Sequence, residues 1–207
     1  MLDGFMRKLI EPPLNRVGEV LARRNIGADH ITLLGLAFGI AAATLIASQQ
    51  YTTGLVLLLI SRLADGLDGA VARASRKTDF GGYLDIVSDF VFYGAVPFGF
   101  VLANVEQNAV AGAFLLWSFY FNGATFLGYA ILAEKHKIKT ESRGSKSLYF
   151  TGGLLEGTET IALFIAFCLW PAGFAILAYI FGVLCFVTAS ARVILAKQVF
   201  GSGKSKQ

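Results

Sequence analysis

The sequence predicts an all-α integral membrane protein: six transmembrane helices preceded by an interfacial amphipathic helix, both termini cytoplasmic. Three observations predict it. Of 207 residues, 55% are apolar and 15% charged, a balance that belongs to membrane domains. The apolar residues gather into runs long enough to approach the hydrocarbon thickness of a bilayer, about 30 Å. Lys and Arg fall almost entirely on one side of those runs.

Residues 1–29 form the interfacial N-terminal segment. Within it, residues 14–24 interleave Leu14, Val17, Val20 and Leu21 with Arg16, Glu19, Arg23 and Arg24, the pattern of a helix lying in the membrane surface. A break over residues 25–29 follows. The first apolar run starts too late and is too long for a cleavable secretory segment. A six-helix bundle is expected over residues 30–198, with spans at 31–49, 53–73, 80–103, 109–132, 156–170 and 173–197, and a polar tail at 199–207. The fifth span is short and its lower end polar.

The loops at 50–52 and 104–108 and the turn at Pro171 contain no Lys or Arg. The opposite side holds Arg7, Lys8, Arg16, Arg23 and Arg24, then Arg76 and Lys77 with Arg73 at their border, then Lys135, Lys137, Lys139, Arg143 and Lys146. The positive-inside rule therefore places this side in the cytoplasm. The net charge of +4 reads as topology and attraction to anionic lipid, and nucleic acid is not an expected partner. Cys168 and Cys185 lie inside predicted spans without metal-ligand spacing and read as packing residues. Gly35, Gly39, Gly94, Gly99 and Gly128 read as close-packing or flexible positions, and Pro97 as a kink.

Four aspartates interrupt the second and third spans: Asp65, Asp68, Asp85 and Asp89. Each carboxylate at membrane depth costs about 2.5–3.5 kcal/mol, so four oppose insertion by about 10 kcal/mol unless neutralised. On helices of 3.6 residues per turn, Asp65 and Asp68 stand about 60° apart and Asp85 and Asp89 about 40°. Each pair shares a face. If the two helices are antiparallel, Asp68 lies level with Asp85 and Asp65 with Asp89. Four carboxylates at one depth suit hard divalent cations that also bind phosphates, the arrangement of a two-metal phosphoryl-transfer site.

The run Asp65-x-x-Asp68-Gly69-x-x-Ala72-Arg73, followed by Gly81-x-x-x-Asp85-x-x-x-Asp89, resembles the motif of the CDP-alcohol phosphotransferase (CDP-alcohol phosphatidyltransferase) family. The resemblance implies a phospholipid-synthesising enzyme that cleaves the phosphoanhydride of a CDP-linked alcohol, in membrane lipid synthesis CDP-diacylglycerol. The phosphoryl group passes to a small polar alcohol and CMP is released. By the same resemblance, Asp65, Asp68, Asp85 and Asp89 hold two divalent cations, Mg²⁺ or Mn²⁺, and Asp89 is also the base for the acceptor hydroxyl. Asp29, His30, Ile31, Thr32, Gly69, Ala72, Arg73 and Thr78 would contact the donor. The family's habit implies a homodimer, and the expected location is a bacterial inner membrane with the site facing the cytoplasm. Two departures are visible: seven residues separate Arg73 from Gly81, one fewer than usual in the family, and Asp29 stands where relatives carry Asn.

Physical reasons stand beside these assignments. Gly69 clears space beside Asp68, Ala72 keeps that face narrow, and Arg73 offers a planar fork of donors suited to phosphate. Arg62, one turn before Asp65, is either an acceptor ligand or a supporting ion pair. For the acceptor, Lys146 and Arg192 point to a polyol phosphate such as glycerol 3-phosphate or inositol phosphate. Serine is the alternative, with Glu156 or Glu159 receiving its amine. Outside this class stand an intramembrane cation transporter and a non-catalytic membrane scaffold. Gly69, Ala72 and Arg73 at fixed offsets weigh against the transporter, and the full set of four aspartates against the scaffold.

Overall fold

A computed structural model describes residues 3–136 and 157–201, and the regular elements among them are all helical. They are α1 (Asp3–Arg23), α2 (Ala28–Ala47), α3 (Tyr51–Ala74), α4 (Asp79–Ala103), α5 (Val105–Lys135) and α6 (Gly157–Leu169). A 3₁₀ turn (Pro171–Gly173) and α7 (Phe174–Phe200) complete them.

The tight reversals are built from backbone closure. After α1, Asn25 takes a left-handed φ of 58°; its N–H reaches Ala22 O at 3.0 Å and that of Ile26 reaches Leu21 O at 3.1 Å, a Schellman closure. Gln49 repeats the device after α2 with φ 62°. A glutamine gains nothing locally from that conformation. Its side chain instead donates to Ala103 O at 2.9 Å, tying the end of α2 to the end of α4. Thr78 and Asn104 cap the next helices, accepting from Gly81 N at 2.9 Å and Gln107 N at 3.2 Å.

Helix α2 packs against both α3 and α4, and α5 packs against α7. Small residues permit the first of these. A Cβ on Gly99 would stand 2.6 Å from Ala43 O, one on Gly39 2.7 Å from Phe92, and one on Gly35 3.1 Å from Ala64. Gly94 and Gly128, by contrast, face open space, so close packing explains neither. Helix α1 lies against α3, where a Cβ on Gly18 would meet Ala70 at 2.8 Å, and it leaves Val17 and Val20 exposed. The other end of the bundle is aromatic. Phe92, Phe100, Phe164, Phe167 and Phe174 are fully buried, with Phe100 stacked on Phe174 at 5.2 Å and Phe167 against Phe174 at 4.6 Å.

The expectation of six transmembrane helices is corrected here. Among the described residues, four helical segments are long and apolar enough to cross a membrane: Ala28–Ala47, Asp79–Ala103, Val105–Lys135 and Pro171–Phe200. Helix α3 is long enough but carries Arg62, Asp65, Asp68 and Arg73 in its second half. Helix α6 has 13 residues, roughly 20 Å at 1.5 Å per residue, well short of the bilayer core. Helix α4 continues as one helix through Pro97.

Candidate functional site

The site lies where the second half of α3 faces the first half of α4. Because α2 braces both helices while they touch each other little, side chains from each project into a shared gap. Asp65, Asp68 and Asp85 each place a carboxylate oxygen there, and these oxygens all lie within 4.8 Å of one another. Asp68 is buried and its neighbours half-buried. Thr32 donates to Asp68 Oδ2 at 2.6 Å, which fixes that carboxylate against α2.

Three carboxylates so close repel one another, and nothing in the packing of the fold requires them together. They are hard oxygen donors of the kind Mg²⁺ and Mn²⁺ take, near enough to share one ion. The residues therefore fit a divalent cation.

Asp89 is not part of this cluster. Its Oδ1 accepts from Arg62 Nη1 at 2.8 Å, and the same nitrogen stands 3.5 Å from Asp65 Oδ1. Arg62 thus links the fourth aspartate to the first.

Beside the triad opens a cleft of about 230 Å³, walled by the start of α2, the end of α3 and the start of α4. Of the residues expected at the donor, Asp29, Thr32, Gly69, Ala72, Arg73 and Thr78 line it. His30 and Ile31 do not: His30 is exposed, and Ile31 is buried at 7% exposure. Arg73 lies over Gly69, where a Cβ would come within 3.3 Å of its Nη1, and its Nη2 donates to Asn15 Oδ1 at 2.9 Å. Helix α1 therefore reaches the site. Gly81 brings α4 close to α2, since a Cβ there would stand 3.1 Å from Asp29 Oδ1.

Five lining residues were assigned neither to the donor nor to the cations by the sequence: Ala28, Arg76, Lys77, Gly81 and Gly82. The basic pair read only as a topological signal. What would have exposed it is its place in the short loop between the two aspartate helices, which must border whatever those helices bind.

The two described acceptor candidates, Arg192 and Glu159, do not line the cleft. Arg192 is buried between α5 and α7, its Nη1 within 3.0 Å of Asn122 O and 2.9 Å of both Asn122 Oδ1 and Thr125 Oγ1. It is no snorkelling side chain. Glu159 stands in the first turn of α6; Tyr93, one turn beyond Asp89, brings its hydroxyl to 3.4 Å from a Cβ built on Gly157. Lys146 and Glu156 lie outside the described residues.

Carboxylates on two facing helices beside a basic cleft form a site suited to a divalent cation and a phosphate-bearing ligand. Residues 25–200 match the CDP-alcohol phosphatidyltransferase family, and the chain belongs to it. It is accordingly an enzyme and a multi-pass membrane protein. It is 50% identical to the inner membrane protein YnjF of Escherichia coli (strain K12), over 93% of this chain and 94% of that one. With the archaetidylinositol phosphate synthase of Pyrococcus horikoshii it shares 28% identity, over 93% and 95% of the two chains. Its fold matches the crystal structure of Mycobacterium tuberculosis phosphatidylinositol phosphate synthase with CDP-DAG bound, at a TM-score of 0.70 and 22% identity, covering 89% of this chain and 93% of that one. The structure of that synthase with manganese and citrate matches at 0.68, again at 22% identity, over 87% of each chain.

Proposed function

We propose that the enzyme transfers the phosphatidyl group of CDP-diacylglycerol to a hydroxyl of a small polyol phosphate, releasing CMP. The observation that carries this reading is the double membership of Asp68 and Asp85, which belong both to the carboxylate triad and to the wall of the basic cleft. Carboxylates in a phosphate-binding wall repel the ligand unless a cation lies between them. The juxtaposition of Arg73, Arg76 and Lys77 with the triad calls for that arrangement.

On this reading Asp65, Asp68 and Asp85 hold one divalent cation, Mg²⁺ or Mn²⁺, and Asp89 contributes to a second. Bound there, the cations supply charge neutralisation for the phosphoryl oxygens and the departing CMP. The chain's own residues do the rest. Arg73 offers its fork to the phosphates, Gly69 and Ala72 leave room for the nucleotide, and Asp29, Thr32 and Thr78 shape the cleft at the helix starts. Asp89 takes the acceptor's hydroxyl proton as the new P–O bond forms and the bond to CMP breaks. The basic residues beside the cleft support a site that faces the cytoplasm, and likeness to an inner membrane protein supports a bacterial inner membrane.

For the acceptor, the named activities of the archaeal and mycobacterial relatives support inositol phosphate over glycerol 3-phosphate. Protein purified in detergent, given CDP-diacylglycerol and one acceptor at a time, is expected to release CMP only with both acceptor and Mg²⁺ or Mn²⁺, and most rapidly with inositol phosphate. Ion movement across vesicles with no CMP from any acceptor would overturn the reading in favour of a transporter.

A further inference from the structure

Arg62 stands outside the aspartate motif yet at its centre in space. Its side chain is only 10% exposed. The guanidinium carbon sits 3.7 Å from the centroid of Phe92, Nη2 is 3.3 Å from Ser61 Oγ, and Nη1 bridges Asp89 and Asp65. Nε is buried with no hydrogen-bond partner. A buried cation braced on an aromatic face and bonded to a carboxylate is held by several contacts at once, and has little freedom to drift.

Its placement has a consequence for cation loading. Asp65, Asp68 and Asp85 converge without help from Asp89, whose Oδ1 accepts from Arg62. An ion shared between Asp65 and Asp89 must enter where Nη1 now stands, against the repulsion of a permanent positive charge. The phosphates of the donor are the groups that can draw a guanidinium away, since they offer it a bidentate partner.

We propose that Arg62 is a positioning residue that sets the order of cation loading. The enzyme without donor takes a single divalent cation on Asp65, Asp68 and Asp85, and the second ion joins only when donor phosphates relieve Asp89 of Arg62. This rests on the cation site assigned under the proposed function.

The test is Mn²⁺ binding by the full chain in detergent, read from the loss of the free-ion electron paramagnetic resonance signal. Without donor, the wild type is expected to bind one ion per chain and Arg62→Gln two; adding CDP-diacylglycerol without acceptor brings the wild type to two. Asp85→Asn should weaken the first ion by about tenfold or more, as loss of a direct ligand does, whereas Asp89→Asn leaves it unchanged. Two equivalent ions on the donor-free wild type, or equal weakening by Asp89→Asn and Asp85→Asn, would overturn the proposal while leaving the cation site standing. No Mn²⁺ bound to the wild type would remove the site itself. If Arg62→Gln fails to fold, the wild type still decides: a stoichiometry that stays at one ion when CDP-diacylglycerol is added, or that is two before it is added, would overturn the proposal.

Discussion

Helix α4 runs from a polar end to an aromatic one, and its two halves bury side chains on different terms. In the first half, Asp85 and Asp89 project toward α3 and meet two more carboxylates and an arginine, while Ser88 Oγ is buried with no hydrogen-bond partner. In the second, Phe92, Val96 and Phe100 repeat at every fourth residue, all fully buried. There the polar groups are matched: Asn108 Nδ2 donates to Phe100 O at 2.8 Å. Phe92 stands at the border, with Arg62 on its ring and Phe164 at 5.8 Å. One end is packed for stability and the other holds like charges together at a cost, which marks it as the end that binds something.

The sharpest way to break this comparison is Asp68→Asn. Metal-dependent CMP release is expected to fall by about a thousandfold, roughly 4 kcal/mol of transition-state stabilisation. The metal-free protein should become no less stable in a thermal unfolding assay, because one member of a repelling triad has lost its charge. A variant that melts early would show that the triad is part of the scaffold. Next in size is Asp89→Asn, expected to lower turnover by about a hundredfold as removal of a base does. Its Michaelis constant for CDP-diacylglycerol should change far less. Equal losses in both would leave Asp89 a ligand and nothing more.

At the aromatic end the expectation reverses. Phe100→Ala removes a ring that stacks between Tyr51 at 5.7 Å and Phe174 at 5.2 Å. It should cost about 2 kcal/mol of stability, less than the roughly 3–5 of a water-soluble core, because lipid offers the unfolded segments an apolar surrounding as well. A lowered melting midpoint with Mn²⁺ affinity kept at low temperature would confirm that the two ends are separable.

The same division explains what the sequence made legible. Charged residues on an apolar background stand out, so the aspartates and their helical faces could be placed by spacing, while the cleft residues Gly69, Ala72 and Arg73 came through the resemblance to the family motif. What spacing cannot convey is which of two groups on one face reaches a partner. Asp89 shares a face with Asp85, yet its Oδ1 pairs with Arg62 while Asp85 joins the cluster. The span count failed for a related reason. An apolar run was read through Arg62, Asp65, Asp68 and Arg73 as though the charges were incidental, and the stretch that became α6 was credited with more length than its 13 residues supply. Arg192 could be named as an acceptor candidate but not placed, because periodicity does not reveal that Asn122 and Thr125 of α5 stand opposite it.

The smallest expected effect concerns the acceptor, and it asks whether the α5–α7 pair shares in the chemistry of the polar end. Arg192 already has three oxygens near Nη1 and the ring of Phe126 at 5.7 Å from its guanidinium, so its orientation is set before any ligand arrives. A pre-oriented, buried cation is suited to a phosphate-bearing acceptor, for which a charge-assisted contact is worth about 1.5 kcal/mol, or tenfold in affinity. Arg192→Ala should therefore raise the Michaelis constant for inositol phosphate by about tenfold, with Arg192→Lys between, since a point charge replaces the fork. The constant for CDP-diacylglycerol should not move. Glu159→Gln, in the first turn of α6, should leave the inositol phosphate constant within about twofold, because dipole complementation at a helix start is worth well under 1 kcal/mol. An effect confined to Glu159→Gln, with serine the preferred acceptor, would refute the anionic acceptor and assign the carboxylate to an amine.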